Sequence, residues 1–404
     1  MILSKKMHPS QRLLQFRSEA EQELKNILSW WTKYSVDHGN GGFFGKIDNE
    51  NNIDADAAKG SVLNGRILWT FSSAYIFFKD PSYLETATRA YDYITGKFID
   101  PNYGGVFWTV NAKGQPAETK KQVYANAFVL YGLSEYFRAS ENEDALQHAI
   151  KLYYIMAGRA HDEEDGGFFE AFSREWDELI DQRLSGKDAN EKKSMNTNLH
   201  VLEAFANLYL IWPDENLKHK ITELLKIFAE KIIDPAGGHL HLFFDEEWNK
   251  KPHPISYGHD IEAAWLLAEC AAIIKEDKLI TLFKEKSVSL ALGTMKGLDA
   301  DGGLWYEYDL NTKKLIREKH WWPQAEAMVG FFNGWQVTGD QRFLDATLNC
   351  WNFITTRILN PSGEWYWGID SNNKIMNEDK AGLWKCPYHN SRACLEIIKR
   401  TDLK

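Results

Sequence analysis

The sequence predicts an all-α fold, an (α/α)6 barrel of twelve helices in six helical hairpins, on three observations. A short acidic-glycine-aromatic phrase recurs: "GNGGFFG" at 39–45, "PNYGGVFW" at 101–108, "DEEDGGFFE" at 162–170, "DPAGGHLHLFF" at 234–244, "DADGGLWYE" at 299–307 and, more faintly, "NPSGEWYW" at 360–367. Gly42, Gly105, Gly167, Gly238 and Gly303 lie 63, 62, 71 and 65 residues apart, and Gly363 follows at about the same interval. Such a period marks repeated supersecondary units, and between the copies the apolar spacing is helical. No polar capping repeat is visible, and closing six hairpins into a ring removes both exposed ends. An open helical array of the same repeats is the alternative.

Each period holds two helices. The odd ones are expected to begin near residues 9, 81, 141, 214, 277 and 340, and the even ones near 60, 120, 195, 257, 320 and 385. In "SVLNGRILWTFSSAYIFF" the residues Leu63, Ile67, Phe71, Ala74 and Phe78 recur at three and four, the pattern of an amphipathic helix. "KDPSYLETATRAYDYITGKFI" follows, with Asp80 as a cap and Pro81 in the first turn. The glycine phrase always joins an odd helix to the next even one. It reads as a turn or hairpin, because glycine permits positive φ and the following aromatics suit a short strand. Even helices are therefore expected inside, odd ones outside, with all six glycine loops at one mouth. The longest interruption, "SREWDELIDQRLSGKDANEKKS" at 173–194, is charged and patternless. Since the repeat resumes in phase after it, it is expected to be a loop over the mouth of a single domain spanning residues 1–404.

Composition narrows the function. A net charge of −10 over 404 residues disfavours nucleic acid, whose binding needs a basic face. The 16 tryptophans and the 14% aromatic share suit a carbohydrate site, where C–H faces of sugar rings stack on aromatic ones. No run approaches the ~18 apolar residues of a membrane helix. The opening "MILSKKMHPSQ" lacks the apolar core of a secretory signal. Cys270, Cys350, Cys386 and Cys394 form no CxxC pair, so a reduced, cytoplasmic protein is expected.

If the inner helices start at the mouth, polar residues in their first turns line a cavity. The second helix offers Arg66 and the fourth Tyr124. The sixth offers Asn196 and His200, four apart, and the eighth His259 and Glu262. The tenth offers Trp322 and Glu326, and the twelfth His389, with Trp384 just before it. Any one could be structural; six helices placing such groups in the same turn of the same repeat points to one site. No HExxH, GxSxG, GxGxxG or P-loop is present. A metal on the histidines and glutamates remains possible but is not favoured, since the histidines lie on three helices. Glu262 and Glu326 could serve a glycosidase. Two histidines facing one substrate suit a reaction in which one removes a proton and the other returns one on the opposite face, that is, epimerisation next to a carbonyl. Arg66 would then stabilise the enediolate.

"SVLNGRILWTFSSAY", "KSMNTNLHVLEAFANLY", "SYGHDIEAAWLL", "HWWPQAEAMVGF" and "LWKCPYHNSRACLE" closely resemble the cellobiose 2-epimerases of the N-acylglucosamine 2-epimerase superfamily, over roughly residues 10–400. The resemblance implies an (α/α)6 barrel that uses no metal or redox cofactor and exchanges glucose and mannose at the reducing end of β-1,4-linked disaccharides. By the same resemblance His259 and His389 are the acid/base pair, Glu262 orients His259, and Glu326 supports His389. His200 assists ring opening or holds O1 and O5. Arg66, Tyr124 and Asn196 hold the reducing-end oxygens, with Trp322 against that ring, while Trp384, Trp305 and Asp188 serve the second sugar. Related proteins act on free mannose or N-acylglucosamine, or isomerise mannose to fructose. One departure stands in the "MNTxLH" block, where Asn198 replaces an expected histidine. The partner is a small carbohydrate, and a monomer or weak homodimer is expected.

Overall fold

A helix that meets protein on every side must be apolar or internally paired around its whole circumference, whereas one on the outside needs a single apolar stripe. The two kinds alternate along this chain. The structure, a computed structural model, describes residues 9–236 and 238–402; most of the opening segment read for a signal peptide lies outside them. Twelve α-helices run through the described residues: α1 (Pro9–Tyr34), α2 (Ser61–Phe78), α3 (Pro81–Tyr93), α4 (Val123–Ser140), α5 (Glu143–Arg159), α6 (Met195–Tyr209), α7 (Glu215–Ile227), α8 (Tyr257–Ile274), α9 (Asp277–Thr294), α10 (Trp321–Thr338), α11 (Gln341–Phe353) and α12 (Tyr388–Arg400). The even helices pack in a closed ring, α2 on α4, α4 on α6, and so on to α12, which returns to α2. The odd helices lie outside against them. This is the (α/α)6 barrel, closed rather than open.

α7 shows why the odd helices sit outside: Leu217, Ile221, Leu224 and Leu225 are buried on one stripe and charged residues occupy the rest. α2 corrects the expectation of amphipathicity. Its apolar stripe is present, but every residue from Ser61 to Ala74 is buried, because the other face fills the barrel interior. The ring is also tight. α2 and α4 approach backbone to backbone at Gly65 and Gly132, where a Cβ on Gly132 would stand 2.5 Å from the Gly65 carbonyl oxygen. Asp80 caps α3 as its sequence suggests, accepting from the Ser82 amide with Pro81 in the first turn.

The recurring phrase folds the same way each time. It forms one antiparallel bridge at the end of each outer helix: Val36 with Phe43, Ile99 with Val106, His161 with Phe168, Ile233 with Leu240, Leu298 with Leu304 and Leu359 with Trp365. Its acid has two tasks. Asp37, Asp100 and Asp162 each accept backbone amides two and three residues on, which shapes the turn. They also bind a buried lysine from just before the next inner helix: Lys59 to Asp37 at 2.8 Å, Lys121 to Asp100 at 2.9 Å, and Lys193 to Asp162 at 2.6 Å. Lys319 and Lys385 repeat the device with Asp299 and Glu364. In the fourth unit the equivalent role falls to His239 and Asp260, 2.7 Å apart. Two-residue ladders then join neighbouring units, Lys59–Gly60 with Thr109–Val110 for example, and the bridge from Ile47 to Ala381 links the first unit to the last. All six loops thus stand at the N-terminal ends of the inner helices, so those helix starts form the mouth.

Candidate active site

Aligning the six inner helices on one residue explains how the site is built. Asn64, Asn126, Asn198, Asp260, Gln324 and Asn390 occupy the same turn, and from Asn126 to Gln324 each accepts the backbone amide of a glycine loop at 2.7–3.0 Å. Two residues further on, about 200° around the helix, stand Arg66, Phe128, His200, Glu262, Glu326 and Arg392. One face of the starts of α4, α6, α8 and α10 is therefore anchored to a glycine loop while the other points into the barrel. The Asn198 departure is resolved by this register. Asn198 accepts from Phe168 N at 2.9 Å and donates to the carbonyl oxygens of Phe168 and Ser194, facing away from His200. Asn198→Ala should lower unfolding stability by about 1–3 kcal/mol through those unpaired groups and leave the activity per folded molecule unchanged, as urea titration and initial rates would show.

A cavity of about 530 Å³ opens at the mouth, within the range of small-ligand sites. Of the residues singled out in the sequence, Arg66, Tyr124, Asp188, Asn196, His200, His259, Glu262, Trp322, Trp384 and His389 all line it. Glu326 stands directly behind His389, its Oε1 2.7 Å from Nδ1. Trp305 is the exception. It turns toward Asp299 at its glycine loop, and the neighbouring Tyr306 lines the cavity instead, as adjacent side chains of an extended segment point to opposite sides. The segment from 173 to 194 contributes Leu184, Ser185, Gly186, Lys187 and Asp188 to the wall.

The polar contacts revise one expected pairing. Glu262 does not touch His259, whose Nδ1 lies 2.8 Å from Ser256 Oγ. Instead Glu262 Oε1 lies 4.0 Å from His200 Nε2 and 3.8 Å from His389 Nδ1, and accepts from Arg392 at 2.9 Å. His259 and His389 both approach the same indole, Trp322, with ring centroids 4.8 and 5.7 Å from it. His200 Nδ1 is 2.8 Å from Glu203 Oε2. Arg66 donates to the Tyr124 hydroxyl at 2.6 Å and to Cys386 Sγ at 3.7 Å, with its guanidinium 4.0 Å over the Phe128 ring. It has no carboxylate in ion-pair contact among the described residues, so it is a buried cation with charge to spare.

Arg392, Glu203 and Tyr388 were missed in the sequence. The register carries the signal for the first, since Arg392 stands in α12 where Arg66 stands in α2. Its Nη2 donates to Glu262 Oε1 and to Glu326 Oε1 at 2.7 Å, and its Nη1 to Glu203 Oε1 at 2.5 Å. Burial dominates the proton equilibria. It drives the imidazolium forms of His200, His259 and His389 below the ordinary histidine range, and for His389 the cations Arg66 and Arg392 add to this. It drives Glu262 up, reinforced by the negative charge of Glu326. Burial also opposes ionisation of Glu203, but Arg392, His200 and Tyr388 hold it at about 2. Ligand atoms of Glu262, Glu326 and His389 lie within 4.8 Å of one another, the spacing of a metal site. The Arg392 guanidinium, bonded to both carboxylates, takes the position that a cation would occupy between them.

Comparison with known proteins agrees with this architecture. Residues 42–393 match the family model described as N-acylglucosamine 2-epimerase (GlcNAc 2-epimerase). The chain is 43% identical to a cellobiose 2-epimerase of Bacteroides fragilis, covering 95% of this chain and 98% of that one. It is 37% identical to a cellobiose 2-epimerase of Dictyoglomus turgidum over the same shares. The solved cellobiose 2-epimerase of Bacillus thermoamylovorans B4167 superposes with a TM-score of 0.92 at 38% identity, covering 96% of this chain and 99% of that one. The chain belongs to the N-acylglucosamine 2-epimerase family.

Proposed function

We propose that this chain is a cellobiose 2-epimerase, interconverting glucose and mannose at the reducing end of β-1,4-linked disaccharides without a metal or redox cofactor. The observation that carries the reading is that His259 and His389 line one cavity, both close to the Trp322 indole at 4.8 and 5.7 Å between ring centroids. In the opened sugar, one imidazole removes the proton from C2 and leaves an enediolate. The other, having taken up a proton from solvent, returns it to the opposite face, and the first gives its proton to solvent. Neutral imidazoles, favoured by burial, suit the removal step, and the negative charge that develops on the sugar favours the imidazolium needed for the return. Arg66 and Tyr124 face the developing charge, Asn196 holds a reducing-end oxygen, and His200 assists ring opening. Trp384 and Asp188 meet the second sugar, with Tyr306 in the place expected of Trp305, and the segment 173–194 closes over the mouth.

Incubating cellobiose in deuterated water and following C2 by NMR tests this directly. Glucosyl-mannose carrying deuterium at C2 is the expected product. Unchanged cellobiose with no exchange sinks the reading, free glucose would make the protein a hydrolase, and faster turnover of mannose than of cellobiose would move it to a monosaccharide substrate. The four buried free cysteines suit a reducing compartment such as the cytoplasm. A monomer or weak dimer completes the proposal, and light scattering across concentrations checks it.

A further inference from the structure

Four histidines line the cavity. Three are backed by carboxylates, His320 through its Nε2 on Glu318 and His200 and His389 through Nδ1, and the carboxylates behind the last two are held by one guanidinium. Arg392 is buried, its guanidinium carbon 4.1 Å from the centre of the Tyr388 ring and 4.8 Å from that of Trp265. From Nη1 it donates to Glu203 Oε1, whose other oxygen meets His200 Nδ1 at 2.8 Å. From Nη2 it donates to Glu326 Oε1, which meets His389 Nδ1 at 2.7 Å. The second Glu326 oxygen accepts from Trp265 Nε1 at 2.9 Å, so both oxygens of that carboxylate are engaged.

A carboxylate held beside a cation accepts a hydrogen bond from Nδ1–H and so fixes the tautomer of the imidazole, leaving the Nε2 lone pair free. We infer that Arg392 is the positioning residue that locks His200 and His389 together in the Nδ1–H form, so that both rings present Nε2 as an acceptor at the same time. His259 falls outside this arrangement, since its Nδ1 meets only the Ser256 hydroxyl, which can donate or accept. The fork matters as well as the charge. Two nitrogens in one rigid plane serve carboxylates on different helices, Glu203 on α6 and Glu262 and Glu326 on α8 and α10, whereas an ammonium is a compact point charge whose donors rotate and do not hold that spread at fixed angles.

The kinetic part of the test rests on the epimerase reading; the spectroscopic part does not. Long-range proton–nitrogen correlation spectra of the protein labelled with 15N-histidine should show His200 and His389 both locked as Nδ1–H, each assigned by loss of its signal in His200→Gln or His389→Gln, and His239, whose Nδ1 meets Asp260, as a further such ring unaffected by either change. Finding the His200 or His389 ring as Nε2–H, or exchanging between forms, overturns the inference even if every Arg392 variant fails to fold. Arg392→Lys should release both tautomers, while Glu203→Gln should release that of His200 alone. On cellobiose, kcat of Arg392→Lys should fall about 10–100-fold, with KM and the affinity for the unreactive alcohol cellobiitol little changed. A variant that keeps both tautomers, or loses cellobiitol binding in step with rate, refutes the assignment. Inactivity of the unsubstituted enzyme on cellobiose, with the two locked tautomers intact, would refute the epimerase reading and leave this one standing.

Discussion

His389→Ala should reduce cellobiose epimerisation by a factor of about 10²–10⁴, the usual contribution of one general acid or base. The loss should be one-sided in a way that only a two-base mechanism produces. Each imidazole serves one face of C2, so with His389 gone, His259 can still remove and return a proton on its own face. One epimer of the product pair should then keep exchanging its C2 hydrogen with deuterated solvent while net conversion stops. His259→Ala should show the same behaviour for the other epimer. Exchange lost from both epimers in both variants would mean that the two rings act in series on one face, and exchange retained in both would remove them from the chemistry. The variant should fold, because His389 makes one polar contact to Glu326, and that carboxylate keeps Arg392 and Trp265 as donors. Thermal unfolding with and without cellobiitol separates a loss of chemistry from a loss of binding.

The sequence made the architecture legible because a ring of repeats writes each structural demand six times. Starts expected at 195 and 257 are the observed starts of α6 and α8, and the others fall within three residues. The acid of the glycine phrase could be noticed but not explained, since its partners Lys59, Lys121 and Lys193 lie about twenty to thirty residues away and meet it only when the loop folds. The same limit applied inside the site. Spacing of three on a helix put His259 and Glu262 on one face, but it could not say that Ser256 would take the imidazole and Arg392, from α12 two helices round the ring, the carboxylate. Trp305 and Tyr306 are neighbours, and which of two adjacent aromatics turns inward is decided by the strand register, not by composition. Arg392 went unnoticed because it lies one turn deeper than the histidine beside it. Aligning α12 with α2 would have exposed it.

Arg66→Met should lower kcat for cellobiose by about 10²–10³, the scale for removing a preorganised donor to a developing oxyanion, and should do so without loosening the fold. Arg66 is 2% exposed, bonds only a phenol and a thiol sulfur, leaves its Nε unpaired, and stacks on Phe128. A buried charge without a counter-charge costs stability, so replacing it with an apolar chain of similar length should leave the melting temperature level or raise it. A structural arginine would behave in the opposite manner, with destabilisation leading and rate following. The kinetic division is equally specific. An interaction made mainly in the transition state lowers kcat and kcat/KM together, whereas one that only holds the ground-state sugar raises KM alone. Arg66→Lys should recover part of the rate, because an ammonium restores the charge but not the planar pair of donors that faces Tyr124. If the methionine variant is less stable and its remaining defect lies in KM, the unpaired cation is not there for an enediolate, and the site would lose its source of charge stabilisation.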